Sequence, residues 1–297
     1  MATIAGSQFV ATAPGQPVNL GDGAATGSSL PSTVPGAFNL EVFVGSVASA
    51  PRIAPGSQGL AVLSPSGLEL DLISGAFAVT DNGTGNDTLS AHGANETVIG
   101  GAAGVTLNLF GNSETALGGS GSDTINVVGN SDSVTGGTGN DTINVFGAHD
   151  TVTAGSGNDT INVLASSDTI NGGTGADVIN LIGSSSQINQ STGSDTINVI
   201  GNADTVTAGA NAGANQGLVN FVGGNMTFAD AGNKFTDTVV GFDQSAGDRI
   251  HLTSDTAANA VAHSTQVNGG ADTLVTLSDG STILLKGVGH IDSGFFS

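Results

Sequence analysis

The chain has 297 residues, of which 48 are Gly, 25 are Asp or Glu and only four are Lys or Arg, giving a formal net charge of −21; Cys, Trp and Tyr are absent. Four cations leave no basic surface for nucleic-acid phosphate or anionic lipid. Absence of Cys removes disulfides, thiol nucleophiles and Cys-based zinc sites, and no apolar run reaches the roughly 18–20 residues that span a bilayer. An apolar content of 38% with slightly positive mean hydropathy argues against a disordered polyanion.

The first segment, 1–81, begins Met-Ala-Thr-Ile-Ala-Gly without the charged and apolar regions of a cleaved export signal. Pro14-Gly15, Pro35-Gly36, Pro55-Gly56 and Ser64-Pro65 punctuate it. Phe38–Val44 alternates in part as a strand does, and Gly67–Thr80 reads as a degenerate first coil of a repeat that becomes regular at Asn82. Two roles stand for this segment: a cap over an open sheet edge, or an arm that donates a strand to a neighbour.

From Asn82 to Thr207 the chain repeats every 18 residues, seven times, each repeat being two nonapeptide halves such as Gly136–Asn144 and Val145–Thr153. The eighth position of each half is aliphatic in thirteen of fourteen cases (Leu107, Ile125, Val134, Ile143, Ile161 and so on), and so faces inward. A short β-branched strand between Gly turns buries nothing alone, whereas stacked coils pair their backbones and share a core. The pattern predicts an all-β fold: a right-handed parallel β-roll or β-solenoid of 18-residue coils with N- and C-terminal β caps. The domains are 1–81 (arm or cap), 82–228 (roll) and 229–297 (C-terminal cap).

The sixth position of the first halves is Asp87, Val105, Asp123, Asp141, Asp159, Asp177 and Asp195. Stacking sets one carboxylate over the next at about 4.8 Å, which costs about 3–4 kcal/mol per pair at an effective dielectric near 20. With so few Lys and Arg, a metal ion is the economical counter-charge, and oxygen ligands beside Gly turns suit Ca²⁺. The turns Gly118–Asp123, Gly136–Asp141 and Gly172–Asp177 resemble the GGxGxD nonapeptide of the RTX (repeats-in-toxin) calcium-binding proteins. Asn82–Asp87 and Ala154–Asp159 lack its first Gly, and Gln190–Asp195 its first two. The resemblance implies a parallel β-roll with Ca²⁺ between successive turns. Its ligands would be Asp87, Asp123, Asp141, Asp159, Asp177 and Asp195 with main-chain carbonyls of the turns that carry Gly119, Gly121, Gly137, Gly139, Gly155, Gly157, Gly173 and Gly175. Asp87 is the weaker member, because Val105 interrupts its column.

The second halves depart from that motif. They carry an acid at the sixth position (Glu96, Glu114, Asp132, Asp150, Asp168 and Asp204, with Ser186 breaking the row), but begin with two apolar residues instead of Gly-Gly. The expectation is a one-edged calcium ladder, with the second acids bonding to their own turns. Their second position forms another row: His92, Phe110, Val128, Phe146, Leu164, Ile182 and Ile200. Strand alternation points it outward as an interaction stripe; a bent strand would make it a second core, and residues 1–81 would be the third way to bury it.

Residues 208–228 read as an eighth coil with four inserted residues, beyond which the period is lost. Asp272–Val288 reads as a hairpin turning at Asp279-Gly280. Phe235–Asp243 and Gly247–Leu252 resemble the segment that follows the roll in many RTX proteins, and the hairpin with the apolar Phe295-Phe296 resembles the C-terminal region of type I secretion substrates. That resemblance implies the secretion apparatus as an export partner and a bacterial extracellular or cell-surface location. No HExxH, G-x-S-x-G or P-loop occurs, and the five His are scattered, so catalysis is not expected. The expected function is a secreted structural protein that folds on extracellular calcium and self-assembles, as homo-oligomer or polymer, into a surface layer, matrix filament or adhesive coat. The alternative is a calcium-dependent ice-binding or other surface-binding solenoid, suggested by the Thr row 88, 106, 124, 142, 160 and 196.

Overall fold

The computed structural model divides into two compact units, Met1–Phe146 and Gly147–Ser297. It describes the backbone of five N-terminal strands within 7–81, then residues 85–190, 192–209, 217–232 and 234–297. The Pro-Gly turns expected before residue 82 and residues 210–216 of the eighth coil lie outside the described residues.

Each repeat folds into one coil of a parallel β-solenoid, contributing one strand to a front sheet and one to a back sheet. In the first unit the front sheet runs Glu69–Ile73, Thr88–His92, Thr106–Phe110, Thr124–Val128, Thr142–Phe146, every neighbour parallel and offset by one repeat. In the second it runs Thr160–Leu164, Val178–Ser184, Thr196–Asn202, Gly217–Gly224 and Thr236–Val240. The period-2 pattern decides the faces. Along Thr124–Val128, Ile125 and Val127 are fully buried, Thr124 and Asn126 half-buried and Val128 exposed, and the same alternation recurs in the neighbouring coils. Back-sheet strands face them with an aliphatic and a small residue, as Val134 and Gly136 do in Ser133–Thr138. The core is therefore thin and aliphatic, one layer from each sheet.

A ladder of side-chain amides locks the coils in register outside this core. Asn126 Nδ2 donates to Asn108 Oδ1 and Asn144 Nδ2 to Asn126 Oδ1, both at 2.8 Å. In the second unit Asn180, Asn198 and Asn220 continue the pattern at 2.9, 2.8 and 2.7 Å.

The two turns of a coil are built differently, which accounts for the missing Gly-Gly of the second halves. First-half turns use paired left-handed glycines; the eight candidate glycines, Gly119 to Gly175, have φ between +97° and +137°. Second-half turns instead place one residue, the fifth, in the left-handed region: Asn95, Ser113, Ser131, His149, Ser167, Ser185 and Ala203, with φ of +60° to +67°. There the front strand runs through the apolar first and second positions before reversing.

The described N-terminal strands extend the solenoid. Glu69–Ile73 and Ala78–Asp81 pair as a coil with Thr88–His92 and Thr97–Ile99, as the degenerate-coil reading anticipates. Phe38–Val44 is a strand, paired antiparallel to Ser7–Thr12 and parallel to Gly59–Leu63. At the other end the coil containing Gly217–Gly224 is offset by 22 residues, which matches 18 plus four. The coil architecture then outlasts the sequence period: Thr236–Val240 and Arg249–His251 pair in parallel with Gly217–Gly224 and Thr227–Ala229. The hairpin Asp272–Thr276 to Thr282–Lys286 joins this sheet through Thr282–Lys286, with Gly280 at φ +87° in the turn, and Ser264–Val267 pairs antiparallel with its outer strand.

Candidate metal centre

Every acid between residues 85 and 207 lies inside the coils. The six first-row Asp residues are 1–2% exposed, and Glu96, Glu114, Asp132, Asp150, Asp168 and Asp204 are 0–2% exposed. Each turn follows an inward-facing position, so the sixth side chain enters the end of the core instead of solvent. One carboxylate oxygen is held by the coil before it. Val105 N–H donates to Asp123 Oδ1 and Asp123 N–H to Asp141 Oδ1, both at 2.8 Å. Asp159 N–H donates to Asp177 Oδ1 at 2.9 Å, and Asp177 N–H to Asp195 Oδ1 at 3.0 Å.

The second edge repeats this arrangement, contrary to the expectation that its acids serve only their own turns. Glu96 N–H donates to Glu114 Oε2 at 3.0 Å, Glu114 N–H to Asp132 Oδ1 at 2.8 Å, and Ser186 N–H to Asp204 Oδ1 at 2.8 Å. The sequence period concealed two further members. Asp237 Oδ1 accepts from Gly217 N–H at 3.0 Å, and Asp248 Oδ1 accepts from Met226 N–H at 2.9 Å. Thr236-Asp237-Thr238-Val239 echoes Asp141-Thr142-Ile143, the one sequence signal that could have flagged Asp237.

The second oxygens of Asp123, Asp168, Asp177 and Asp204, Glu114 Oε1 and both oxygens of Glu96 are buried and accept no hydrogen bond. Such atoms are costly in a low-dielectric interior unless a cation meets them. The space they face is kept open by glycine. A Cβ on Gly118 would stand 2.4 Å from Asp123 Oδ2 and 2.3 Å from Gly136 O. On the second edge a Cβ on Gly111 would meet Gly93 O at 1.7 Å and Glu114 Oε1 at 2.6 Å. One on Gly201 would meet Gly183 O at 1.5 Å and Asp204 Oδ2 at 2.9 Å. Carboxylate and main-chain oxygen thus converge from successive coils on one small space.

The acids stand in single file: among the described residues no three His, Cys, Asp or Glu side chains cluster around a point. A cation between neighbours therefore takes at most two carboxylates and completes its shell with carbonyls. That donor set is all oxygen and suits Ca²⁺, which accepts six to eight such ligands in flexible geometry.

The electrostatics fit the same conclusion. Burial, reinforced by Asp141 and opposed by the Val105 N–H, raises Asp123 to about 6. Burial, opposed by the Asp159 N–H and reinforced by the charges of Asp195 and Asp159, raises Asp177 to about 7. Burial and then Glu114 raise Glu96 to about 7; burial, against the Ser186 N–H and with Asp168, raises Asp204 to about 6. Burial likewise raises Asp132, Asp141, Asp168 and Asp195. The columns are thus strained as anions and are relieved by protons or by a cation.

Comparison with known proteins bears on which cation. The RTX calcium-binding nonapeptide repeat matches this chain in four copies, over residues 83–104, 110–143, 127–161 and 145–179. Calcium is accordingly the metal of this chain. Neither a curated protein nor a solved structure gives a significant match.

Proposed function

We propose, from the premise that this chain is an RTX calcium-binding repeat protein, that its two columns of buried acids make the fold conditional on calcium and that the folded roll serves as a secreted structural material. The observation that carries this reading is the set of buried, unbonded carboxylate oxygens facing glycine-lined spaces. Ca²⁺ supplies counter-charge and coordination there. Asp123, Asp141, Asp159, Asp177 and Asp195 hold it on the first edge, with Asp87 below the Val105 break, and turn carbonyls complete the shell. Glu96, Glu114, Asp168 and Asp204 offer the same chemistry on the second. Because the unfolded chain has no preformed site, calcium binding is folding free energy.

This linkage suits export of an open chain from calcium-poor cytosol by the type I apparatus, followed by folding outside the cell. Residues 229–297 are the proposed signal region, in keeping with their resemblance to type I substrates. Among the described residues no helix is long and apolar enough to cross a membrane. A structural rather than catalytic role suits a chain whose acids between residues 85 and 207 are buried within stacked coils. The ice-binding alternative is less well supported, because the Thr row is broken by Val178 and Leu218 in the second unit.

The test is titration of calcium into metal-stripped full chain, followed by circular dichroism and calorimetry at pH 7.5. The expected outcome is a calcium-dependent gain of β signal with saturable heat. A stable β signal in EGTA, with no heat on adding calcium, would overturn the proposal.

A further inference from the structure

We infer that the front face of the second unit, centred on Leu164, Ile182, Ile200 and Val222, is the surface on which a second copy of this chain docks. The inference rests on the self-assembly part of the reading above and names the face that carries it. The four side chains stand in register on adjacent parallel strands and are 52%, 50%, 46% and 59% exposed. Val178 and Val240 lie on the same face at 37% and 36%. Together they expose on the order of 400 Å² of aliphatic surface, within the range of a monomer's largest and often functional patch. With the flanking Thr and Asn rows, the face approaches the roughly 800 Å² per partner of a standard interface. In the first unit Phe110, Val128 and Phe146 hold the equivalent positions at 42–44% exposure, with His92 stacked on Phe110 at 4.7 Å.

Two features select a second copy as the occupant. The first is charge. The chain carries −21, yet the outward side chains of these four strands are Thr160, Asn162, Leu164, Val178, Asn180, Ile182, Thr196, Asn198, Ile200, Leu218, Asn220 and Val222, all uncharged. The acids of the same coils, Asp159, Asp168, Asp177, Asp195 and Asp204, are buried. Two copies can meet on these four strands without like charges in contact; the nearest charge on the face is Lys286, in register with Val240 and paired to Asp272 at 3.1 Å. The second is period. The row repeats at the spacing of paired strands, about 4.8 Å. A partner with the same repeat can seat one side chain between two across the whole row, and an antiparallel two-fold arrangement makes that contact self-complementary. The strands are held by backbone and amide ladders, so little ordering cost opposes docking.

The experiment uses the full chain with calcium, by sedimentation velocity and light scattering up to about 100 µM, with circular dichroism and calcium stoichiometry on the same samples. The expected result is a dimer that I182K/I200K weakens at least 100-fold while β signal and stoichiometry stay unchanged. Thr151→Lys, on the exposed part of a back strand, should leave the dimer intact. Should the lysines disturb folding, I182A/I200A should still weaken the dimer at least tenfold. A folded monomer at about 100 µM, including one that instead shows thermal hysteresis, overturns the inference, as does a dimer indifferent to both pairs. A chain folded without calcium refutes the calcium switch and leaves the dimer readout in force.

Discussion

Replacing Asp177 by Asn should stabilise the metal-free chain and destabilise the calcium-loaded one. The side chain keeps its shape, and its Oδ1 still accepts the Asp159 N–H at 2.9 Å. What changes is the charge at the buried, unbonded Oδ2. Raising that carboxyl from 3.8 to about 7 corresponds, at about 1.4 kcal/mol per decade, to about 4 kcal/mol of penalty for the anion near neutral pH. The new amide N–H₂ returns about 1–3 kcal/mol of this where its donors stay unmade. A net gain of about 1–3 kcal/mol without calcium results, large beside the 5–15 kcal/mol of a typical fold. In calcium the same change removes a charged ligand, and site affinity follows ligand charge. A pH titration in EGTA followed by circular dichroism reads the first sign, as β signal that appears at a higher pH in the variant than in the parent, and urea unfolding at pH 7.5 in millimolar calcium reads the second. An Asn variant that is less stable than the parent in EGTA as well would refute the claim that the carboxylate is strained when metal-free.

Acid should substitute for calcium. The folded values of Asp123 and Asp177, about 6 and about 7, lie above the ordinary 3.8, so their contribution is fully present below about 4 and lost as pH rises through 6–7. Circular dichroism in EGTA should therefore gain β signal between pH 8 and pH 5, and a loss over that interval would contradict the assignment. In calcium, protons compete for the same oxygens, so affinity should fall across that range. Gly118→Ala should cost about 1–3 kcal/mol and impair calcium uptake, because its Cβ meets Asp123 Oδ2 and Gly136 O at 2.4 and 2.3 Å; Gly172→Ala should be milder, its nearest neighbour being Asp177 Oδ2 at 3.2 Å. Glu114→Gln tests the second edge by calorimetry: calcium stoichiometry should drop, and an unchanged count would restrict binding to the first edge. Asn180→Ala breaks two amide bonds of the ladder and should cost about 1–2 kcal/mol in thermal unfolding.

Much of this fold was legible because its signals are local and repeated. The aliphatic eighth position and strand alternation predict Ile125 in, Asn126 out, Val127 in and Val128 out, as found. Asp279-Gly280 marks its hairpin by turn chemistry alone. Where the sequence misled, the missing information lay one coil away. The second-half acids follow polar turn residues and read as bonding to their own turns, yet Glu114 and Asp132 turn inward to main-chain N–H groups 18 residues earlier. Their turns lack the Gly-Gly pair because one left-handed residue, whether Ser131, His149 or Ala203, makes the reversal, and the single Gly they do repeat, as at Gly111 and Gly201, lies outside the GGxGxD motif. The coil formed by Thr236–Val240 and Arg249–His251 escaped notice because loop lengths changed while the inward positions did not.

The apolar row stood open among three readings, since no local pattern reports what covers a strand. Its exposure gives the calcium columns a second consequence. All twelve acids of residues 85–207 are interior, and no Lys or Arg lies in that span. The unfolded repeat is therefore a polyanion that repels its own copies, whereas the folded repeat presents Thr, Asn, Ser, Gly and aliphatic rows with its anions enclosed. Neutralising those anions with calcium folds the chain, withdraws its charge from the surface and creates the flat aliphatic face in one step. Repulsion that keeps an exported chain open and apart, and contact that joins folded copies, then respond to the same ion. A second copy should meet this face only after the columns have filled. Calcium added to metal-stripped chain in stopped flow should accordingly raise the β signal with no dependence on protein concentration, followed by a concentration-dependent rise in light scattering. Scattering that rises before the β signal would break the proposed order of folding and association.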